Sequence, residues 1–215
     1  IAGKGHETTQ IYKNKIYNIS DRQIIKKVKF KKLKYDKKNY RQEFNKKIIR
    51  EVINKKNSYN FIGTTINSKE VSPGNLFIAI KGRNKDGHNY INEAIKNKAS
   101  YCVISKKIKE INKKKIINCK NTNIFLNRLA FFKRKYSQAK IIAITGSSGK
   151  TSAKSVLGNI LSKYGNTFYS KKSYNNHYGV PISLSNLESD HEYGIFEVGM
   201  SKAGEINKLS KLIKP

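Results

Sequence analysis

Tryptophan is absent, methionine occurs once, at position 200, and proline only three times in 215 residues. The first residue is Ile1, so no initiator methionine is visible and the chain is expected to be a piece of a longer polypeptide. Cysteine is limited to Cys102 and Cys119, in the apolar contexts Tyr-Cys-Val-Ile and Ile-Ile-Asn-Cys, with no second Cys or His at metal-ligand spacing. A disulfide scaffold and a cysteine-based zinc site are thereby excluded, and buried thiols in a reducing compartment are expected. No apolar run approaches the roughly 20 residues that cross a bilayer, and no signal peptide opens the chain. Membrane insertion is not expected, and a cytoplasmic location is.

Acidic residues are the other scarcity, 14 against 45 Lys and Arg, which leaves a net charge of +31. A charge of that size would suit nucleic acid or an anionic surface. The lysines, however, are scattered through every segment beside Asn, Ile and Tyr, as AT-rich codons would place them. A solvated lysine-rich surface accounts for the excess, and no specific nucleic-acid partner is expected.

What is present is enough apolar content, 37%, to build cores. Gln10-Ile11-Tyr12 and Lys15-Ile16-Tyr17 read as a hairpin, and Ser20 as the cap of a short helix. Residues 30–40 are rich in lysine and almost without apolar periodicity, which marks a linker. Phe44, Ile48, Ile49, Val52 and Ile53 then recur at helical spacing, predicting an amphipathic helix over 41–56. Beyond it, apolar stretches at Phe61-Ile62, 76–80, 101–104 and 116–117 alternate with helical patterns over 89–98 and 122–136, the pattern of a small α/β domain. A second α/β unit opens at Lys140 with Ile141-Ile142-Ala143-Ile144, followed by a Gly/Ser turn, a helix over 150–163, a strand over 193–198 and a helix from Gly204. The boundaries expected are 1–29, 30–57, 58–138 and 139–215.

Thr145-Gly146-Ser147-Ser148-Gly149-Lys150-Thr151 stands between that apolar strand and that helix. Binding a phosphate needs backbone N–H groups turned toward an anion, and small residues let the main chain approach it. Lys150 would meet the β/γ-phosphates of ATP and the Thr151 hydroxyl would ligate Mg²⁺. The common phosphate loop carries a further glycine where this chain has Ile144, so this is a variant of it. A glycine-rich turn that merely starts a helix is the plainer alternative. Glu197, at the end of an apolar strand that follows such a loop, is placed to hold the nucleotide's Mg²⁺ unless it is an ordinary strand-end surface residue. Glu205 reads as a first-turn residue favoured by the helix dipole.

The T-G-x-x-G-K-T form resembles the Mur ligase and folylpolyglutamate synthetase superfamily, whose members activate a carboxylate with ATP and join it to an amine. Asn175-Asn176-His177-Tyr178-Gly179-Val180-Pro181 and Glu197-Val198-Gly199-Met200-Ser201-Lys202-Ala203-Gly204-Glu205-Ile206 resemble two elements of the MurF branch. Residues 67–69, 73–82 and 86–88 resemble the UDP-binding N-terminal domain of Mur ligases. Asn67 and Lys69 stand there where that family commonly has Asp and Arg, and a lysine offers a point charge and no planar fork. The resemblance implies an α/β fold, with a small UDP-binding-type domain followed by a truncated phosphate-loop central domain. It also implies that Ser68, Arg83 and Asn84 touch the uridine nucleotide and that Asn175 and Asn176 line the substrate cleft. His88 reads as a helix-start residue. At the opposite end, Gly3-Lys4-Gly5-His6-Glu7 with Ser20-Asp21-Arg22 resembles the C-terminal tail of MurE-type ligases, where residues matching Gly3 and Glu7 contact a diamino acid. A turn without a ligand is the plainer alternative there.

The activity implied is ligation of D-alanyl-D-alanine to UDP-N-acetylmuramoyl-tripeptide through an acyl phosphate, with ATP and Mg²⁺ as cofactors and Lys150 and Glu197 as the catalytic pair. The rivals are a folylpolyglutamate synthetase-like ligase, a basic nucleic-acid-binding ATPase and a non-catalytic remnant. A fused tail of one ligase and first half of the next would account for the order of motifs, and the 215 residues alone are expected to be inactive.

Overall fold

The computed structural model describes residues 10–12, 15–17, 37–54, 59–82, 84–108, 113–170, 172–200 and 203–215. Contacts divide the chain into two units, Ile1–Lys34 and Tyr35–Pro215. In the first, β1 (Gln10–Tyr12) and β2 (Lys15–Tyr17) pair antiparallel, with Ile11 opposite Ile16. Gly3, Glu7 and the helix expected after Ser20 lie outside the described residues.

The second unit begins with α1 (Lys37–Ile53), which takes in the last residues of the stretch read as a linker. Nothing between residues 31 and 62 is Gly or Pro, so lysine, a good helix former, extends the helix toward the N-terminus. Its anchoring face is Ile48, Ile49 and Val52, all buried.

A parallel sheet follows, with β3 (Thr64–Thr65), β4 (Leu76–Ile78), β5 (Tyr101–Ile104) and β6 (Ile116–Asn118) in sequential order. Alternation along the strands divides their side chains between two cores. Leu76, Ile78, Val103 and Ile117 pack with α1 and with Phe125, Leu126 and Leu129 of α3 (Thr122–Tyr136). Phe77, Cys102 and Ile104 face the other way, onto Ile91 and Ala94 of α2 (Ile91–Lys96). Both faces are covered, which is why these strands read as continuous apolar runs. Burial pushes the Cys102 thiol up to about 11, and both cysteines are free.

Phe61-Ile62 is not a strand. Phe61 fills the first core from a loop, Ile62 is exposed, and the edge strand starts two residues later at Thr64. The outer side of that edge is occupied by a side chain: Thr64 N donates to Asn186 Oδ1 (2.7 Å), and Asn186 Nδ2 donates to the Thr64 carbonyl (2.9 Å).

The second sheet is also parallel, with β7 (Lys140–Ile144), β8 (Thr167–Tyr169) and β9 (Tyr193–Glu197) in the order β7-β9-β8. Around it stand α4 (Lys150–Leu161), α5 (Gly179–Ser185) and α6 (Glu205–Ile213). α5 contains Pro181 at its third position, where the missing N–H has no intrahelical acceptor to lose.

Two helices join the sheets into one body. α3 sends Leu129 into the first core and Ala130 into the second, while α5 sends Ile182 into the first and Val180 and Leu184 into the second. Polar clamps reinforce this seam: buried Lys133 donates to Glu188 Oε1 at 3.0 Å, and Arg41 grips Asp190 through two bonds of 2.7 and 2.9 Å. Among the described residues, no helix is long and apolar enough to cross a membrane.

Candidate active site

The parallel register of β7 and β9 creates the site. Ile144 pairs with Glu197, so the strand that runs into the loop 145–149 ends beside the strand that ends on a carboxylate. Val198 N donates to the Ile144 carbonyl at 2.8 Å and extends the pairing one residue further. Ligand sites of open α/β sheets form at this carboxyl edge.

The loop itself is exposed and makes a left-handed turn into α4: Gly149, the N-cap residue, has φ +73°. A Cβ built on Gly149 would meet nothing within 4 Å. Glycine is therefore required there by the main-chain conformation and not by crowding, and the space in front of the amides stays open. Lys150 folds back over the loop, its Nζ donating to the carbonyls of Gly146 (2.7 Å) and Ser147 (3.3 Å). A cavity of about 480 Å³ opens here, lined by Thr145, Gly146, Ser147 and Lys150, by Asn175 and Asn176, and by Gly199, Met200, Glu205 and Ile206.

Each half of the Asn-Asn-x-x-Gly segment has a structural reason. The Asn175 carbonyl accepts from Gly199 N at 2.8 Å, joining this segment to the end of β9. Asn176 Oδ1 accepts from Tyr178 N (3.1 Å) and Gly179 N (2.8 Å), supplying acceptors for the free amides that start α5. Gly179 is dictated by close approach, since a Cβ there would lie 2.6 Å from the Tyr174 backbone.

Thr151 Oγ1 lies 2.9 Å from Ser173 Oγ. Glu197 is 1% exposed, and among the described residues neither of its carboxylate oxygens has a hydrogen-bond partner, while Lys154 Nζ lies 3.1 Å from Oε2. That burial removes the ordinary surface explanation for Glu197 and leaves lone pairs on a buried carboxylate beside a phosphate-type loop. Thr151 and Glu197 are not part of the cavity lining, but their chemistry, one hydroxyl and one carboxylate, suits a hard divalent cation with phosphate oxygens to complete the shell. Among the described residues no group of three or more His, Cys, Asp or Glu could hold a metal without such help.

The other sites foreseen lie elsewhere. Ser68, in a 3₁₀ turn (Ser68–Glu70), is buried and donates to Glu93 Oε2 at 2.5 Å, while Asn84 sits exposed in a bend; neither lines the cavity. Arg83 is outside the described residues. His88 is in the first turn of a 3₁₀ helix (Gly87–Tyr90) capped by Asp86, with Nδ1 bonded to Asp86 Oδ1 (2.6 Å) and Nε2 accepting from Ser105 N (3.0 Å). Bonds to Lys106 and His88 hold the Asp86 carboxyl well below the usual carboxylate range against the opposing effect of burial.

Three groups escaped the sequence. Lys154 carries the signal of a residue four after Lys150 on one helix face, but is one of 45 basic residues. Ser173 and Glu70 carried no signal. Glu70 accepts from Lys172 Nζ and from Tyr174 Oη (3.1 Å), tying the first sheet's 3₁₀ turn to the segment in front of Asn175.

A model of the Mur ligase middle domain matches residues 144–215, and a model of the Mur ligase family catalytic domain matches residues 59–134. The chain belongs to the Mur ligase family. Within that family it is similar to the UDP-N-acetylmuramoyl-tripeptide--D-alanyl-D-alanine ligase of Rickettsia prowazekii, 44% identical over 159 residues, covering 74% of this chain and 35% of that one. The same-named ligase of Buchnera aphidicola (subsp. Acyrthosiphon pisum) is 44% identical over 150 residues, covering 70% and 32%. Solved structures agree: MurF from Acinetobacter baumannii superposes with a TM-score of 0.64 at 28% identity, covering 79% of this chain and 39% of that one. MurF from Thermotoga maritima in complex with ADP gives 0.55 at 33% identity, covering 70% and 35%. The chain thus spans about a third of the length of the curated relatives it matches.

Proposed function

We propose that this chain forms the nucleotide-binding part of an ATP-dependent ligase of the MurF type, joining D-alanyl-D-alanine to UDP-N-acetylmuramoyl-tripeptide. The observation that carries this reading is the β7–β9 register, which sets the loop 145–151 beside an unsaturated, buried Glu197. The names of the relatives and the ADP bound by the Thermotoga maritima structure support it.

In this reading the amides of Gly146 to Gly149 and the N-terminus of α4 receive the phosphates. Lys150, turned onto two loop carbonyls, would exchange them for the β/γ-phosphate oxygens, and Thr151 and Glu197 would hold Mg²⁺. ATP supplies phosphoryl activation of the acceptor carboxylate. The chain's own part is charge stabilisation by Lys150 and the loop, and positioning. Asn175 and Asn176 shape the cleft wall, Asn176 with its Oδ1 already committed to α5. Contacts with the uridine nucleotide we assign to Ser68, Arg83 and Asn84 by family resemblance; Ser68, bonded to Glu93, would act there by fixing its turn.

The free, buried Cys102 supports a reducing, cytoplasmic setting. Residues 1–29, which lie outside both family matches, we read as the tail of a MurE-type ligase with Gly3 and Glu7 as its diamino-acid contacts.

The test is titration of the chain with a fluorescent ATP analogue, with and without Mg²⁺, in parent, Lys150→Ala and Thr151→Ala forms. Lys150→Ala should weaken binding by roughly tenfold or more, the worth of a charge-assisted phosphate contact. Thr151→Ala should lose chiefly the Mg²⁺-dependent part. Unchanged affinity in both variants would sink the assignment.

A further inference from the structure

Lys154 lies one turn beyond Lys150 on α4 with its side chain fully buried. Its ammonium donates to Ser170 Oγ at 3.1 Å and to the Lys172 carbonyl at 2.6 Å, and forms an ion pair with Glu197 Oε2 at 3.1 Å. Taking an ammonium and a carboxylate out of water costs several kcal/mol for each ion, and an apolar side chain of similar volume would pack α4 onto the sheet at less cost. Helix packing alone therefore does not account for a charge at this position.

What an ammonium achieves and an apolar group cannot is to hold two polar elements together. One is the Glu197 carboxylate at the end of β9. The other is the segment containing residues 170, 172 and 173, whose Ser173 hydroxyl is bonded to Thr151 Oγ1 at 2.9 Å. These are the two side chains assigned above to Mg²⁺. Lys172 in turn pairs through its own ammonium with Glu70, so the segment is anchored from both sides.

We propose that Lys154 is the positioning residue of the metal site, orienting Glu197 directly and Thr151 through the segment that ends at Ser173. The proposal rests on the nucleotide reading of the loop. Lys154 touches neither phosphate nor metal; it fixes the carboxylate so that Oε1 and a lone pair of Oε2 stay available, and it holds the hydroxyl of Thr151 in register with them.

The readout is the magnesium increment, the ratio of the analogue's Kd without Mg²⁺ to its Kd with Mg²⁺, measured on the whole chain. In Lys154→Met the increment should fall about tenfold or more, the usual effect of removing an outer-shell partner of a metal ligand, while the metal-free Kd stays within about threefold. Ser173→Ala leaves the buried ion pair intact and should reduce the increment about threefold to tenfold, the worth of one hydrogen bond. Should Lys154→Met fail to fold by circular dichroism, Ser173→Ala and Ser170→Ala carry the test. An increment unchanged or enlarged in the folded variants overturns the proposal. A parent chain that binds the analogue with no dependence on Mg²⁺, or not at all, overturns the metal-site reading and this inference together; metal-dependent binding shared equally by parent and variants overturns only the role of Lys154.

Discussion

Replacing Lys133 by methionine tests what holds the two sheets together. Lys133 is on α3, fully buried, and donates to Glu188 Oε1 at 3.0 Å, with Asn45 Nδ2 the second donor to that oxygen at 3.4 Å. Glu188 Oε2 has no hydrogen-bond partner. Burial pushes the Lys133 ammonium below the ordinary lysine range, with Glu188 opposing the shift. Methionine keeps the length and most of the volume, so the loss is electrostatic: Glu188 remains buried with one long hydrogen bond, its direct ion pair gone and Arg41, already clamped to Asp190, as the remaining nearby cation. Breaking a buried pair from one side costs about 3–5 kcal/mol, whereas removing both charges is often close to neutral. At about 2–4 °C per kcal/mol for a unit of this size, Lys133→Met should lower Tm by roughly 6–20 °C. The double variant Lys133→Met/Glu188→Gln should regain most of that loss, leaving a deficit of about 1 kcal/mol for imperfect hydrogen bonding. Urea and thermal unfolding of the four members of the cycle measure it. A single variant within about 1 kcal/mol of the parent, or a double variant as unstable as the single, would refute the argument that an unpaired buried carboxylate is what the lysine prevents.

The Arg41–Asp190 clamp should be pH-dependent. Burial alone would raise the Asp190 carboxyl, but the bonds and charge of Arg41 outweigh it and hold the group below its ordinary value. A depressed carboxyl contributes stability above the unfolded pKa, about 3.9, and loses it as pH falls through the folded value. Arg41→Gln should therefore cost about 1–2 kcal/mol at pH 6, discounted for the partly exposed guanidinium, and progressively less below about pH 4 in urea titrations; a cost that grows on acidification would contradict this. Gly158→Ala should destabilise the chain despite the better helix propensity of alanine, because a Cβ there would lie 2.6 Å from the Tyr169 ring. Overpacking of this kind costs about 1–3 kcal/mol against a propensity gain of about 1, so a higher Tm in the variant would show that Tyr169 moves aside freely.

The sequence by itself determined the local grammar of this protein. Ile141 to Ile144 is an apolar run followed by Gly146 and Gly149, a strand that must turn where only glycine accepts the backbone, and a lysine at the mouth of a helix needs no tertiary information to be read as a candidate phosphate contact. The parallel α/β class followed from the same alternation of apolar runs and helical periods, and the family resemblance from short motifs whose residues are adjacent in the chain. Register and pairing across long separations were decided by the tertiary structure alone. Nothing local aligns Ile144 with Glu197, separated by 53 positions, or tells Lys154 from the other lysines until α4 is laid on the sheet and its ammonium meets a carboxylate. Asn176 and Ser68 show the same limit from the other side. Expected as substrate contacts, they also carry structural bonds that no local pattern announces, to α5 and to Glu93, because a polar atom in a folded chain takes whichever partner packing brings within about 3 Å, and packing is a property of the whole fold.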